Sequence, residues 1–259
     1  MYPILFSFGP VTLYTYGLLI ATAFLSSTLL AVRLAKDDGI SSQFIYDLVF
    51  WIIIGSIVGA RLLFVIVEYK MYLKYPLDIF MIWKGGLVYY GGLLGGFLAG
   101  LIYVKKRNID VGNMADIAAP CIALGQGIGR IGCVMAGCCY GSETDVSWAI
   151  EFHDEHSLAP LGVLLHPSQI YSSVMNFSIL GILLFLRGRA MFKGQIFLSY
   201  LILYSVGRFT VEFFRSDERG AVFNGLLSTS QFIAIITFII GSVLFYFFHK
   251  RASARFNKL

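Results

Sequence analysis

Two arginines lie inside stretches that are otherwise apolar and long enough to cross a membrane, Arg130 in IALGQGIGRIGCV and Arg208 in LILYSVGRFTVEFF. At the centre of a lipid-embedded helix a guanidinium costs at least about 2.5–3.5 kcal/mol, so each needs a counter-charge or an anionic ligand. Arginine suits phosphate because its planar fork donates two parallel hydrogen bonds and keeps its charge. Two such groups in one apolar bundle imply a site for an anion that resides in a membrane, and a phospholipid head group has that chemistry. Tyr204, Arg208, Glu212 and Arg215 are spaced so as to share one helical face. An Arg208–Glu212 pair one turn apart would neutralise itself, but it leaves Arg130 unaccounted for.

Two further segments carry polar or reactive groups. Gly129-Arg130-Ile-Gly-Cys133-Val-Met-Ala-Gly137-Cys138-Cys139-Tyr140-Gly141 is dense in glycine, and irregular backbone at membrane depth is tolerated only where it is buried in protein or lines a cavity. Its cysteines are open to three readings: buried small hydrophobes, a disulfide on an oxidising face, or metal ligands with His153, His156 or His166. Their spacing matches no zinc pattern, so neither metal nor cofactor is expected. His166-Pro-Ser-Gln169 reads as a helix start, with proline near the first position and serine or glutamine available for capping.

These groups must be positioned by membrane helices. The 259 residues are 58% hydrophobic and 14% charged, with a mean hydropathy of +0.76; an ordinary soluble domain carries about 25% charged residues. The net charge of +5 therefore reads as membrane orientation and not as nucleic-acid binding. Apolar runs near 12–32, 46–67, 86–104, 114–134, 169–187, 195–214 and 227–248 predict an all-α integral membrane protein, a single domain over 1–259 with seven transmembrane helices. The longest loop is about 134–168. No basic segment precedes the first run, so a cleaved signal is not expected. Gly92, Gly96 and Gly100 lie four apart, as do Gly125 and Gly129, a spacing that lets helix backbones approach closely in lipid.

Twelve basic residues fall on one side of this map: Arg33 and Lys36, Lys105 to Arg107, Arg187, Arg189 and Lys193, and four from Lys250 to Lys258. Five fall on the other, Lys70, Lys74, Lys84, Arg215 and Arg219, while Arg61, Arg130 and Arg208 lie within spans. The excess places the N-terminus outside and the C-terminus in the cytoplasm. The two arginines of runs four and six then lie in the outer half of the bilayer. So do Tyr14 and Tyr16, the GGLVYY segment that includes Tyr90, and His166 with Gln169.

Taken together, the chain resembles the prolipoprotein diacylglyceryl transferase family of bacterial inner-membrane enzymes. The resemblance rests on FSFGPVTLYTYG, GGLVYYGGLLGG, GRIGCVMAGCCYG, HPSQIY, LYSVGRFTVEFFRSDE and LSTSQ, in that order along nearly the whole chain. It implies transfer of the diacylglyceryl group of phosphatidylglycerol to the lipobox cysteine thiol of lipoprotein precursors, forming a thioether. The partners it implies are phosphatidylglycerol, precursor signal peptides and membrane lipid, with no nucleic acid. It implies a multi-pass protein of the inner membrane whose active site faces the periplasmic leaflet.

By the same resemblance the phospholipid-binding arginine falls on Arg130 and a second functional arginine on Arg208. Tyr16, Tyr204, Glu212 and Gly141 match further family positions. Four positions depart from the pattern: Tyr90 stands where the family has histidine, Cys133 and Cys138 where it has asparagine and glutamate, and Ser172 where a glutamate often follows. We assign Arg208, Tyr90 and Tyr204 to catalysis, and Arg130, Tyr16, Gly141, Glu212, His166 and Gln169 to substrate binding. Tyr90, with a reference pKa of about 10, is a poor base at neutral pH; its role is positional and the base is unassigned. The alternatives are a thiol-redox membrane protein using Cys133, Cys138 and Cys139, and a phospholipid-binding relative without transferase activity.

The orientation is directly testable. A periplasmic reporter fused after residue 150 should be active and a cytoplasmic reporter silent, with the reverse after residue 255. Cytoplasmic-type activity at 150 would overturn the map.

Overall fold

The computed structural model describes residues 2–9, 11–81, 83, 85–216, 220–222 and 226–256. Lys84, Asp217, Glu218, Arg219 and Lys258, used above in the charge count or in the motifs, lie outside them. The helices are α1 (Thr15–Asp37), α2 (Ser42–Val67), the short α3 (Tyr69–Lys74), α4 (Tyr89–Lys106), α5 (Val111–Ala136), α6 (Ser168–Arg187), α7 (Gln195–Glu212) and α8 (Thr229–Phe256). Seven long helices thus stand where seven apolar runs were expected. Five of them, α1, α2, α5, α6 and α8, are long and apolar enough to cross a membrane; α4 and α7 have 18 residues each.

The all-α expectation needs one correction. The first run begins with strand, because β1 (Ile4–Phe8) pairs antiparallel with β2 (Val11–Tyr14). Gly9, at φ 55°, supplies the left-handed conformation that closes so tight a turn. Tyr14 therefore ends a strand, and the helix carrying Tyr16 starts after it. A second, shorter ladder joins β3 (Ala221–Val222) to β4 (Leu227–Ser228), just before α8.

The chain forms two compact units, one of Ala31–Met114 and the other of Met1–Leu30 with Ala115–Leu259. In the first, α2 and α4 pack antiparallel along a glycine seam. A Cβ on Gly59 would collide with the Gly91 carbonyl, and one on Gly95 with the Gly55 carbonyl. The seam is thus Gly55/Gly59 against Gly91/Gly95, a neighbouring stripe to the Gly92/Gly96/Gly100 series picked out by spacing. Gly92 makes only ordinary contact, 3.4 Å to the Ser56 carbonyl oxygen. Of that series Gly96 and Gly100 also face α2, where a Cβ would meet Ser56 and Ile52, so the small-residue spacing located the packed helix and part of its contact face.

The same unit contains a feature that the sequence reading passed over. Arg61 is only 6% exposed, and its guanidinium donates to the carbonyls of Ile79 (2.9 Å), Gly85 (2.6 Å), Gly86 (3.0 Å), Met81 (3.3 Å) and Asp78. The rings of Phe64 and Tyr72 lie 5.8 and 5.4 Å from it. One side chain thereby ties together the carbonyls of the 3-10 turn Pro76–Phe80 and of the segment that leads into α4. This matters at a depth where unsatisfied backbone is costly.

In the other unit, α5, α6 and α7 share a core of Ala119, Ala123, Ile179, Leu183, Ile196 and Tyr200, and α8 packs on α7. Buried Asp116 of α5 accepts from the Gly194 and Phe197 amides at 2.7 and 2.9 Å. It thus serves as a cap, supplied by another helix, for the N-terminus of α7. Most of the side-chain surface of α2 and α8 is unburied and apolar, as a lipid-facing helix requires.

The seam makes a prediction. Gly95→Ala should destabilise the protein by about 1–3 kcal/mol through overpacking, seen as a lower thermal unfolding midpoint in detergent. Gly92→Ala should leave that midpoint nearly unchanged. Equal effects of the two would put the seam on the wrong face.

Candidate active site

The site is generated by the way α5 ends. Gly137 has φ 73°; its amide donates to the Val134 carbonyl at 3.2 Å, and the Cys138 amide donates to the Cys133 carbonyl at 3.1 Å. This is a Schellman stop, in which the residue after the left-handed glycine folds back over the last turn. Here those two positions are Cys138 and Cys133. Cys139 is also left-handed, at φ 60°, which turns it to the same side. As a result the three Sγ atoms lie within 4.8 Å of one another. The structure forms no disulfide among the four cysteines, and no histidine joins the thiol group among the described residues. His153 and His156 instead face Glu151 and Asp154 at 3.6 and 3.1 Å.

The chain beyond this stop is held by buried side chains. Gln169, fully buried, donates from Nε2 to the Cys138 carbonyl at 2.9 Å, and Ser168 donates to the Cys139 carbonyl at 2.9 Å. The capping expected of Ser168 and Gln169 does not occur, since Pro167 precedes α6 and no side chain caps it. Their polar atoms are used instead on two loop carbonyls. Gly141 sits between two strands of backbone: its amide donates to the His166 carbonyl at 3.0 Å, and it bridges Arg215. A Cβ there would strike the Phe214 and His166 backbone, so this position requires glycine. His166 Nδ1 lies 3.2 Å from the Tyr171 hydroxyl, which accepts from Trp148 Nε1 at 2.6 Å. The His166 ring packs on Phe214 at 5.2 Å. His166 thus belongs to an aromatic brace behind the loop.

Electrostatics distinguish the thiols. The Cys133 and Cys138 thiols beside it hold the Cys139 thiol well below its usual range, helped by the Arg215 guanidinium. The Cys133 and Cys139 thiols push Cys138 in the opposite direction. Tyr16 lies against this turn of α5, where a Cβ on Gly132 would stand 3.2 Å from its ring, and it is within electrostatic range of Arg130 and the three thiols. A cavity of about 390 Å³ opens here, lined by Tyr14, Tyr16, Gly17, Cys138, His156 and Leu158 among others.

The two arginines differ in their surroundings. Arg208 pairs with Glu212 at 2.5 Å, the two side chains being 13% and 7% exposed, and donates to the Ser230 hydroxyl at 2.9 Å. Arg130 is half-buried and makes no hydrogen bond or ion pair among the described residues. The self-neutralising pair weighed for Arg208 is therefore present, whereas Arg130 has no such partner among the described residues. Tyr204 lies one turn before Arg208 and stacks on Tyr200 at 5.5 Å. Tyr90 belongs to the other unit, in the first turn of α4, where it is 69% exposed and meets Tyr89 edge-on.

Sequence reasoning gave no role to the LSTSQ segment. In the fold the Ser228 hydroxyl accepts from the Gln231 amide (3.1 Å), while Gln231 Oε1 accepts from the Ser228 amide (3.0 Å). This is a capping box for α8. The same hydroxyl donates to Glu212 at 2.8 Å, and Ser230 receives Arg208. The S-x-x-Q spacing was the available signal.

Five helices long and apolar enough to cross a membrane, with a cavity at the end of α5, define a multi-pass membrane protein. The chain belongs to the prolipoprotein diacylglyceryl transferase family, whose profile matches residues 3–247. It is 41% identical over 245 residues to a phosphatidylglycerol–prolipoprotein diacylglyceryl transferase of Clostridium tetani, covering 95% of this chain and 97% of that protein. A second such enzyme, from Clostridium perfringens, is 41% identical over 238 residues, covering 92% and 91%. One from Lysinibacillus sphaericus is 36% identical over 248 residues, covering 92% and 89%.

The network at α8 is testable. Ser228→Ala removes the cap and the donor to Glu212 together, and should cost at least about 1 kcal/mol, read as a lower unfolding midpoint. Ser228→Thr keeps both bonds and should restore most of it.

Proposed function

We propose that this protein transfers the diacylglyceryl group of phosphatidylglycerol to the lipobox cysteine thiol of lipoprotein precursors, releasing glycerol phosphate. The observation that carries the reading is Arg130, a half-buried guanidinium without a protein acceptor among the described residues, on the helix whose end lines the cavity. Breaking the carbon–oxygen bond leaves negative charge on a phosphate ester, and a fixed guanidinium in a site of low dielectric stabilises that charge as it develops. Arg208 supports the site from α7, held in place by Glu212 and Ser230, with Tyr204 on the same face. Tyr16 borders the cavity where a lipid or peptide enters. Family membership favours transfer over the thiol-redox reading, because the substrate itself brings the thiol.

We further infer that all seven long helices span the bacterial inner membrane as one domain. The N-terminus and the connection between α5 and α6 then lie on the outer side. The charge asymmetry of the loops supports this orientation.

The decisive test is complementation of a strain depleted of its own transferase, with lipidation of a reporter precursor read by mass spectrometry. In purified protein, Arg130→Ala should lower turnover by roughly a hundred- to a thousandfold, the cost of losing a donor to a developing oxyanion. Arg130→Lys should fail nearly as badly, because it keeps the charge but loses the two-point donation. Near-normal turnover by Arg130→Ala would remove the phosphate from this site.

A further inference from the structure

We propose that Cys133, Cys138 and Cys139 bind a zinc ion whose open fourth position takes the cysteine thiol of the incoming precursor. This inference rests on the transferase reading. The spacing C-x4-C-C matches no familiar zinc pattern, and the reason is geometric. The Schellman stop at Gly137 and the left-handed Cys139 bring the ligands together by folding the backbone back, not by placing them along a knuckle.

Tetrahedral zinc with Zn–S bonds of about 2.3 Å needs sulfurs about 3.8 Å apart. Three Sγ atoms already within 4.8 Å reach that arrangement with closing movements of about one ångström or less. Three protein ligands with the fourth position open are the mark of catalytic zinc, where structural sites have four. No fourth histidine, cysteine or carboxylate joins the group among the described residues.

The surroundings suit a metal that handles a substrate. Cys138 lines the cavity of about 390 Å³, so the fourth position has access to a space of ligand size. Buried Gln169 and Ser168 fix the carbonyls of Cys138 and Cys139, orienting the ligands from behind as metal sites require. Zinc with three thiolates carries one negative charge, and two once the substrate thiolate binds. Arg215, beside Cys139, offsets part of that charge.

The chemistry balances without a redox step. On coordination the substrate thiol loses its proton to solvent, because a metal-bound thiol is deprotonated. Its sulfur then attacks the glycerol carbon of phosphatidylglycerol. The S–C bond forms as the C–O bond breaks, and that electron pair leaves on the phosphate oxygen of glycerol phosphate. The zinc is unchanged. This supplies the thiolate for which no general base was found in the sequence.

The experiment uses the full-length protein in detergent under reducing conditions, stripped of metal with a chelator and reloaded with Zn²⁺ or Co²⁺. One Co²⁺ per chain should bind with the intense near-ultraviolet absorption of thiolate ligation. Cys138→Ser, which leaves the Gly137 turn in place, should lose that absorption. A lipobox peptide should shift the cobalt spectrum, and the same peptide with serine for cysteine should not. At pH 7 the stripped enzyme should transfer about thirtyfold more slowly than the zinc form, since a thiol of pKa about 8.5 is only a few per cent ionised there. Its rate should climb as pH rises towards 8.5, while the zinc form stays flat. Full transfer by metal-free protein, or a cobalt spectrum without thiolate absorption, overturns the zinc site and leaves the transferase reading standing. A Cys133–Cys138 disulfide in active enzyme does the same. Absence of transfer in every state, zinc-loaded included, defeats the transferase reading and this inference with it.

Discussion

A guanidinium inside an apolar helix must find compensating acceptors, and this chain meets that constraint in three ways. Arg61 takes backbone carbonyls from the segment after α3. Arg208 takes a carboxylate one turn away and a hydroxyl from α8. Arg130 takes neither among the described residues. The first solution builds structure, because one side chain gathers the carbonyls of a short 3-10 turn and of the segment before α4. The second fixes a charged pair and ties α7 to the start of α8. The third leaves a charge available, and in a membrane protein such a charge is costly unless a ligand answers it.

The end of α5 matters as much as the arginine on it. A helix that continued past Ala136 would carry Cys138 and Cys139 away from Cys133. The left-handed glycine reverses the chain instead, and Gln169 and Ser168 consume the carbonyls that the reversal exposes. Irregular backbone is admissible at this place because its groups are satisfied: Gly141 reaches His166, Ser142 reaches Phe214, and Leu165 exchanges bonds with Ile150. The loop's own small core of Phe152, Ala159 and Leu165 makes it a folded element. Reactive groups on it are consequently held as firmly as groups on a helix.

Much of this was legible in the sequence. Seven apolar runs marked seven helices, and Arg130, the cysteine-rich turn and HPSQ were marked because their residue types are costly or unusual in lipid. What periodicity could not supply was orientation about each helix axis. It found Gly92, Gly96 and Gly100, of which Gly96 and Gly100 meet α2, but not Gly91 and Gly95, which only the partner helix picks out. It read Ser168 and Gln169 as caps, because capping is local while the Cys138 and Cys139 carbonyls are about thirty residues away in sequence. It named the three thiols but not their convergence, for a similar reason: cysteine spacings encode familiar backbone shapes, and a Schellman stop followed by a left-handed cysteine is not one of them. Arg61 was passed over because its acceptors are carbonyls, which every residue carries and no motif announces.

The departures from the family pattern are easier to understand from this geometry than from residue-by-residue substitution. Replacing an asparagine and a glutamate by Cys133 and Cys138 removes a neutral amide and a carboxylate, each able to accept hydrogen bonds. If either had served as a base or an orienting acceptor for a thiol, the exchange would leave the nucleophile unactivated. The new residues do not stand alone, however. They sit at the two positions that the helix stop brings face to face, and Cys139 completes the group from the next residue. A change that lost polar function at two places would be expected to scatter in space; here the replacements and Cys139 converge on one point at the edge of the cavity. That convergence argues for one chemical purpose exchanged for another, with Arg130 kept in place three residues upstream.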